Sequence, residues 1–181
     1  MTLPDLLLPT YRQMLTAFST WLGKAEGDAV LSARLAGDMF PLATQVCFAC
    51  VQALEGTSRI SGREIPPEVA DLLEQGRNAD AAPGTLAEAR ERIERTLAQL
   101  DRIAVEAEWL SDDAPIAHAI PAGMIFDLTA LQYARDWALP QFYFHLMAGY
   151  AILRGEGVAL GKIDYVAHML PFVRPGTMPQ C

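Results

Sequence analysis

Gln141 and His145 stand four residues apart in Leu139-Pro-Gln-Phe-Tyr-Phe-His145, a polar pair inside an otherwise apolar and aromatic stretch. On a helix that spacing puts both side chains on one face. Phe142, Leu146, Gly149 and Leu153 line the adjoining apolar face, so the pair should look toward a bundle interior or its mouth. An imidazole placed there serves as a ligand, as an acid or base, or as a core group satisfied by a carbonyl or carboxylate. Gly149, one turn beyond His145, either leaves room for a ligand or lets another helix come close.

The other residues able to join such chemistry are scattered. A catalytic zinc or nickel centre wants three protein ligands and an open position. The chain has three histidines, His118, His145 and His168. His118 follows Asp112-Asp113 in a polar connector and His168 lies in the terminal tail, neither at helical spacing from His145. Asp38 is an oxygen-ligand candidate in the second helix, and Gln45 a neutral one. Asp38 with His145 would form a carboxylate–imidazole acid/base pair if the two approach within about 3 Å. The metal-ligand candidates are therefore His145, Asp38, His118 and His168, with Gln141, Gln45 and Gly149 completing a candidate pocket, and local spacing supports no three-histidine set.

Cys47-Phe-Ala-Cys50 has a redox-like spacing. It falls within a helix, however, without the strand-to-helix context that stabilises a thiolate, so both cysteines are expected to pack as small hydrophobes. A zinc site here would need two further soft ligands, and the third cysteine is Cys181. Residues 155–165 mix glycines with Val158 and Leu160. They suit a turn that packs back on the bundle with Lys162 and Asp164 at its rim, or a lid that carries Asp164 or Tyr165 to the mouth.

The elements that must position these groups are helical. Leu7, Tyr11, Met14, Leu15, Phe18 and Leu22 recur at three- and four-residue spacing and predict a first helix over 6–22. A second is predicted over 29–54, bent or restarted at Pro41. A short helix over 68–75 follows Pro67. Thr85 and Glu88 make a capping box for a third long helix that ends near Leu110. Residues 111–126 form a connector with a short hairpin or extended piece near 119–126. Thr129 and Gln132 repeat the capping box before a fourth long helix, which reaches Arg154 if Pro140 is tolerated and otherwise restarts near Leu139. Four long helices with one longer central connection predict an all-α four-helix bundle. The chain is expected to be one domain over 1–181, with 155–181 as a tail packed on the bundle.

Bulk properties narrow the function classes. At 181 residues the chain can bury a substantial core, and 51% of it is hydrophobic. A net charge of −8, with no basic stripe to offset it, opposes nucleic acid as a partner. No window approaches the ~20 apolar residues of a membrane span, and the N-terminus lacks the basic flank and apolar run of a secretory signal. Three cysteines do not make a disulfide framework, so a cytoplasmic location is expected.

Four ordered motifs carry a resemblance over nearly the whole chain: Ala36-Gly-Asp-Met-Phe-Pro-Leu42, Leu139 to His145, Tyr150-Ala-Ile-Leu-Arg154, and Gly157-Val-Ala-Leu-Gly-Lys-Ile-Asp-Tyr165. They resemble a bacterial and fungal domain-of-unknown-function family, the one numbered nineteen ninety-three, within the DinB/YfiT-like superfamily. The resemblance implies a four-helix bundle and a homodimer. Members of that superfamily often hold a divalent metal through one histidine of the second helix and an HxxxH pair of the fourth, and some use it in thiol transfer or hydrolysis. By that resemblance His145 matches the second histidine of the pair and Gln141 occupies the place of the first. Gln45 stands near the level of the second-helix histidine. The pocket geometry carries over, and the metal site does not carry over intact. The expected function is a small-molecule pocket around His145 and Gln141. A divalent-metal-dependent thiol transferase or hydrolase, and a structural homodimer, are the alternatives.

Overall fold

The computed structural model describes residues 2–177; Cys181 and the last residues before it lie outside them. Helix α1 (Leu3–Leu22) opens with a capping box, Thr2 to Asp5, and a proline in its first turn. A 3-10 turn (Asp28–Ser32) leads to α2 (Leu42–Ile60). Then come α3 (Glu68–Arg77) and α4 (Leu86–Glu106), the latter with the Thr85–Glu88 capping box. Strands β1 (Pro115–Ala119) and β2 (Ile125–Thr129) pair antiparallel with His118 opposite Phe126. Helix α5 (Ala130–Gln132), a π-helical turn (Tyr133–Ala138) and α6 (Leu139–Gly155) run on without a break. A short α7 (Lys162–Tyr165) and a 3-10 turn (Ala167–Phe172) finish the described chain. Four long helices, α1, α2, α4 and α6, make the bundle, and the architecture is all-α apart from the small hairpin. Among the described residues no helix is long and apolar enough to cross a membrane.

Two expected boundaries move, both on the second long helix: it begins at Leu42, not near Ala29, and runs through Gly56 to Ile60 rather than ending at Leu54. Pro41 has no N–H to give a preceding turn, and it holds Phe40 out of the helical region. The chain before it is therefore turns, and Asp38 lies exposed in one of them rather than on a helix. The fourth long helix, by contrast, passes Pro140. The π turn just ahead widens the backbone, with the Leu139 N–H reaching back to the Ala134 carbonyl, and so accommodates the pyrrolidine ring that would clash in a regular α-helix.

The core forms where the apolar stripes meet. Tyr11, Phe18, Trp21, Tyr133 and Phe142 are fully buried, and Tyr11 packs edge-on to Phe142 with ring centroids 4.8 Å apart. The chain after α6 lies against α1: the Trp21 indole N–H donates to the Asp164 carbonyl at 3.2 Å, and Lys24 pairs with the Asp164 carboxylate at 2.6 Å. Two glycines set helix spacing. A methyl group at Gly149 would come within 2.9 Å of Phe18 Cε2. At Gly56 it would come within 3.3 Å of Tyr11 Cζ and 3.4 Å of Ala138 Cβ. The space beside Gly149 is thus taken by the Phe18 ring of α1, so of the two readings of this glycine it is the close approach of another helix that the structure shows.

Gly149→Ala should destabilise the fold. Overpacking costs ~1–3 kcal/mol, against a helix-propensity gain of up to ~1 kcal/mol, so a net loss is expected in urea denaturation. Adding Phe18→Leu should recover part of it, and an unchanged or higher midpoint in the single variant would contradict this packing.

Candidate functional site

His145 lies on the buried face of α6 with 8% of its surface exposed, and Gln45, on the first turns of α2, is 1% exposed. Their side chains meet: His145 Nδ1 is 2.9 Å from Gln45 Oε1. The other end of the same amide fixes the direction of that bond. Gln45 Nε2 donates to the Phe40 carbonyl at 3.1 Å, so the oxygen facing His145 can only accept. His145 Nδ1 therefore carries the proton, and Nε2 keeps its lone pair. Phe48 and Phe144 stand edge-on to the imidazole, each with ring centroids 5.3 Å away. Phe40 packs on Phe48 at 5.6 Å, so the loop before α2 closes this end of the bundle.

Burial lowers the His145 pKa from its ordinary 6.5 to about 4, because the low-dielectric surroundings penalise the imidazolium. Near neutral pH the ring is uncharged, with a donor pinned to Gln45 and an acceptor to offer.

The remaining candidates do not assemble around it. Gln141 is half-buried one turn earlier on α6. Asp38 is exposed in the turn two residues before Phe40. His118 is not in a solvated connector: it points inward from β1, 3% exposed, with Nδ1 3.9 Å from Glu55 Oε1. Glu55 is ten residues along α2 from Gln45, which at 1.5 Å per residue is roughly 15 Å. His118 thus belongs to the far end of the bundle, which corrects its place as a co-ligand of His145. His168 sits in the tail, beside a cleft of about 390 Å³ lined by Arg12, Gln13 and Thr16 of α1. Among the described residues no group of three His, Cys, Asp or Glu side chains could hold a metal ion. The amide and aromatic groups around His145 offer no second strong ligand for a borderline metal, so the donor set does not fit a three-ligand centre.

Cys47 and Cys50 are buried free thiols. Burial raises the Cys47 thiol and pushes Cys50 up to about 12, which is the behaviour of core groups rather than of reactive thiolates.

One cluster escapes the sequence. His118, Tyr133 and Trp137 pack together at tilted angles, with His118 4.6 Å from Trp137 and 5.3 Å from Tyr133 between ring centroids. They lie against Glu55 and Arg59, themselves paired at 2.8 Å. The Glu55/Arg59 spacing of four was visible in the sequence, but it reads there as an ordinary surface helix pair. Only the fold-back of the hairpin brings His118 onto it.

The all-α bundle of four long helices is a DinB-like fold, as its likeness to a solved structure shows. The crystal structure of a DinB family member protein from Shewanella denitrificans is 31% identical, with a TM-score of 0.67, over 97% of this chain and 94% of that one. The chain belongs to the family described as Domain of unknown function (DUF1993), whose model matches residues 3–166. No curated protein sequence matches it.

The depressed His145 pKa has a sign that can be tested. Its folded value, about 4, lies below the unfolded value near 6.5, so between those pH values the unfolded chain binds more protons. Stability contributed by the neutral ring is therefore full above pH ~6.5 and is lost as pH falls toward 4, by an amount on the order of 3 kcal/mol. Burial lowers the His118 pKa in the same direction, so the comparison is between wild type and His145→Gln. Urea midpoints should diverge across this window, and parallel pH profiles would contradict the assignment.

Proposed function

We propose that this protein binds a small molecule where Gln45 of α2 meets His145 of α6, and that it does so without a three-histidine metal centre. The observation that supports this is the fixed hydrogen-bond direction from Phe40 through Gln45 to His145. It presents Nε2 of a neutral imidazole as an acceptor for a hydroxyl, amide or ammonium donor of the ligand. With a pKa of about 4 the ring is a weak base, so recognition suits it better than proton abstraction. Gln141, one turn away on the same helix, supplies an amide that can donate and accept.

The metal-dependent thiol transferase or hydrolase alternative would need Asp38, His118 or His168 to join His145. Their positions, in an exposed turn, at the far end of α2 and in the tail, argue against it. A homodimer forms part of the same proposal. Phe144 and Met147 of α6 are 59% and 41% exposed, an apolar face that a second copy would cover.

Elemental analysis and a thermal-shift screen of small hydroxyl- and amine-bearing compounds test the proposal together. Metal well below one equivalent is expected, with ligand-dependent shifts in wild type that His145→Ala loses and that Gln141→Ala weakens. Stoichiometric zinc that disappears in His145→Ala would instead establish the metalloenzyme reading.

A further inference from the structure

Among the described residues, four of the six buried side-chain nitrogen or oxygen atoms without a hydrogen-bond partner fall in one place: the Tyr11 and Tyr133 hydroxyls and both ring nitrogens of His118. Tyr11 and Tyr133 are fully buried and His118 is 3% exposed. The residues come from three separate parts of the chain, α1, the π turn and β1, and converge on Glu55 and Arg59 of α2. The Tyr11 hydroxyl lies over Gly56, where any side chain would collide with it. The Arg59 guanidinium carbon is 6.0 Å from the centre of the Tyr133 ring.

A buried polar group left unpaired is destabilising, and native cores keep such groups few. Ordinary packing would have replaced these tyrosines by phenylalanine and the histidine by an apolar residue. Their concentration at one spot is the pattern of a site whose partner is not part of the chain. The π turn points the same way. Tyr133 and Trp137 both lie on it, and such turns cost regular helical hydrogen bonding and recur at functional sites.

The groups themselves specify the partner. Nδ1 of His118 stands 3.9 Å from Glu55 Oε1, beyond hydrogen-bond reach, so the neutral imidazole has one nitrogen free to donate and one free to accept. The two phenols donate. Glu55 and Arg59 cancel in charge, which gives an anion or a cation no net attraction. Their side chains keep 18% and 22% exposure, so this pair borders solvent while the phenols and the imidazole do not.

We propose that Tyr11, Tyr133 and His118, with the Glu55–Arg59 pair at the solvent edge, form a second binding site for an uncharged group that both donates and accepts a hydrogen bond, an amide or an alcohol. It lies at the opposite end of α2 from Gln45 and His145, and it stands on residues independent of that pair.

Acetamide is the probe, with acetate as the charged, acceptor-only control, followed by the His118 ring resonances in NMR titrations. Wild type should show a saturable shift with acetamide and none with acetate, and His145→Ala should respond as wild type does. Tyr11→Phe and Tyr133→Phe, each removing only a hydroxyl, should weaken acetamide at least tenfold while leaving the helical circular dichroism intact. Either single variant suffices if the other fails to fold. Absence of a saturable acetamide shift in wild type, stronger binding of acetate than of acetamide, or Tyr→Phe variants that bind within twofold of wild type would each overturn the proposal.

Discussion

The packing of α2 against α6 governs both polar regions of this protein. The helices run antiparallel: Gln45 touches His145 near one end, and Gly56 faces Ala138 near the other. At the Gly56 end the approach depends on two small residues and brings the backbones close. At the Gln45 end it is set by one buried hydrogen bond between neutral groups. That bond contributes only about 1 kcal/mol net, but breaking it would strand an amide and an imidazole in the core at greater cost. Specific position, more than stability, is what it supplies.

The chain keeps these buried polar groups uncharged. Burial drives His145 and His118 toward the neutral imidazole and raises the Tyr11 and Tyr133 phenols. The Glu55–Arg59 pair is internally compensated. A bundle with a net charge of −8 thus carries its charge on the surface and offers hydrogen bonding without charge inside. Such an interior favours polar, uncharged ligands over ions and suits recognition through direction and shape. An amide at Gln45 fits this pattern, since it orients His145 without adding charge.

The helices were legible because their signals are local. The stripe from Leu7 to Leu22, the capping boxes at Thr85 and Thr129, and the short helix after Pro67 all appear where spacing and caps place them. Pro41 signals either a bend or a restart, but not that everything from Ala33 to Phe40 leaves the helix, since apolar residues continue through Leu35 and Phe40. Gln45 and His145 could be paired by family resemblance, while the direction of their bond needed the Phe40 carbonyl, which no sequence pattern reveals. His118 was misplaced for a similar reason. Two aspartates before it suggest solvent, and alternation over five residues of strand is too short to show that the ring turns inward. Gly149 was read as possible space because a sequence cannot show which ring, here Phe18, fills it.

The central claim is that His145 is a neutral acceptor held by Gln45. Long-range nitrogen–proton NMR of the imidazole across a pH titration tests it most directly. The account predicts the Nδ1–H tautomer, with Nε2 unprotonated, persisting until the pH falls toward about 4. A proton on Nε2, or an imidazolium already formed between pH ~6 and 7, the ordinary histidine range, would contradict it.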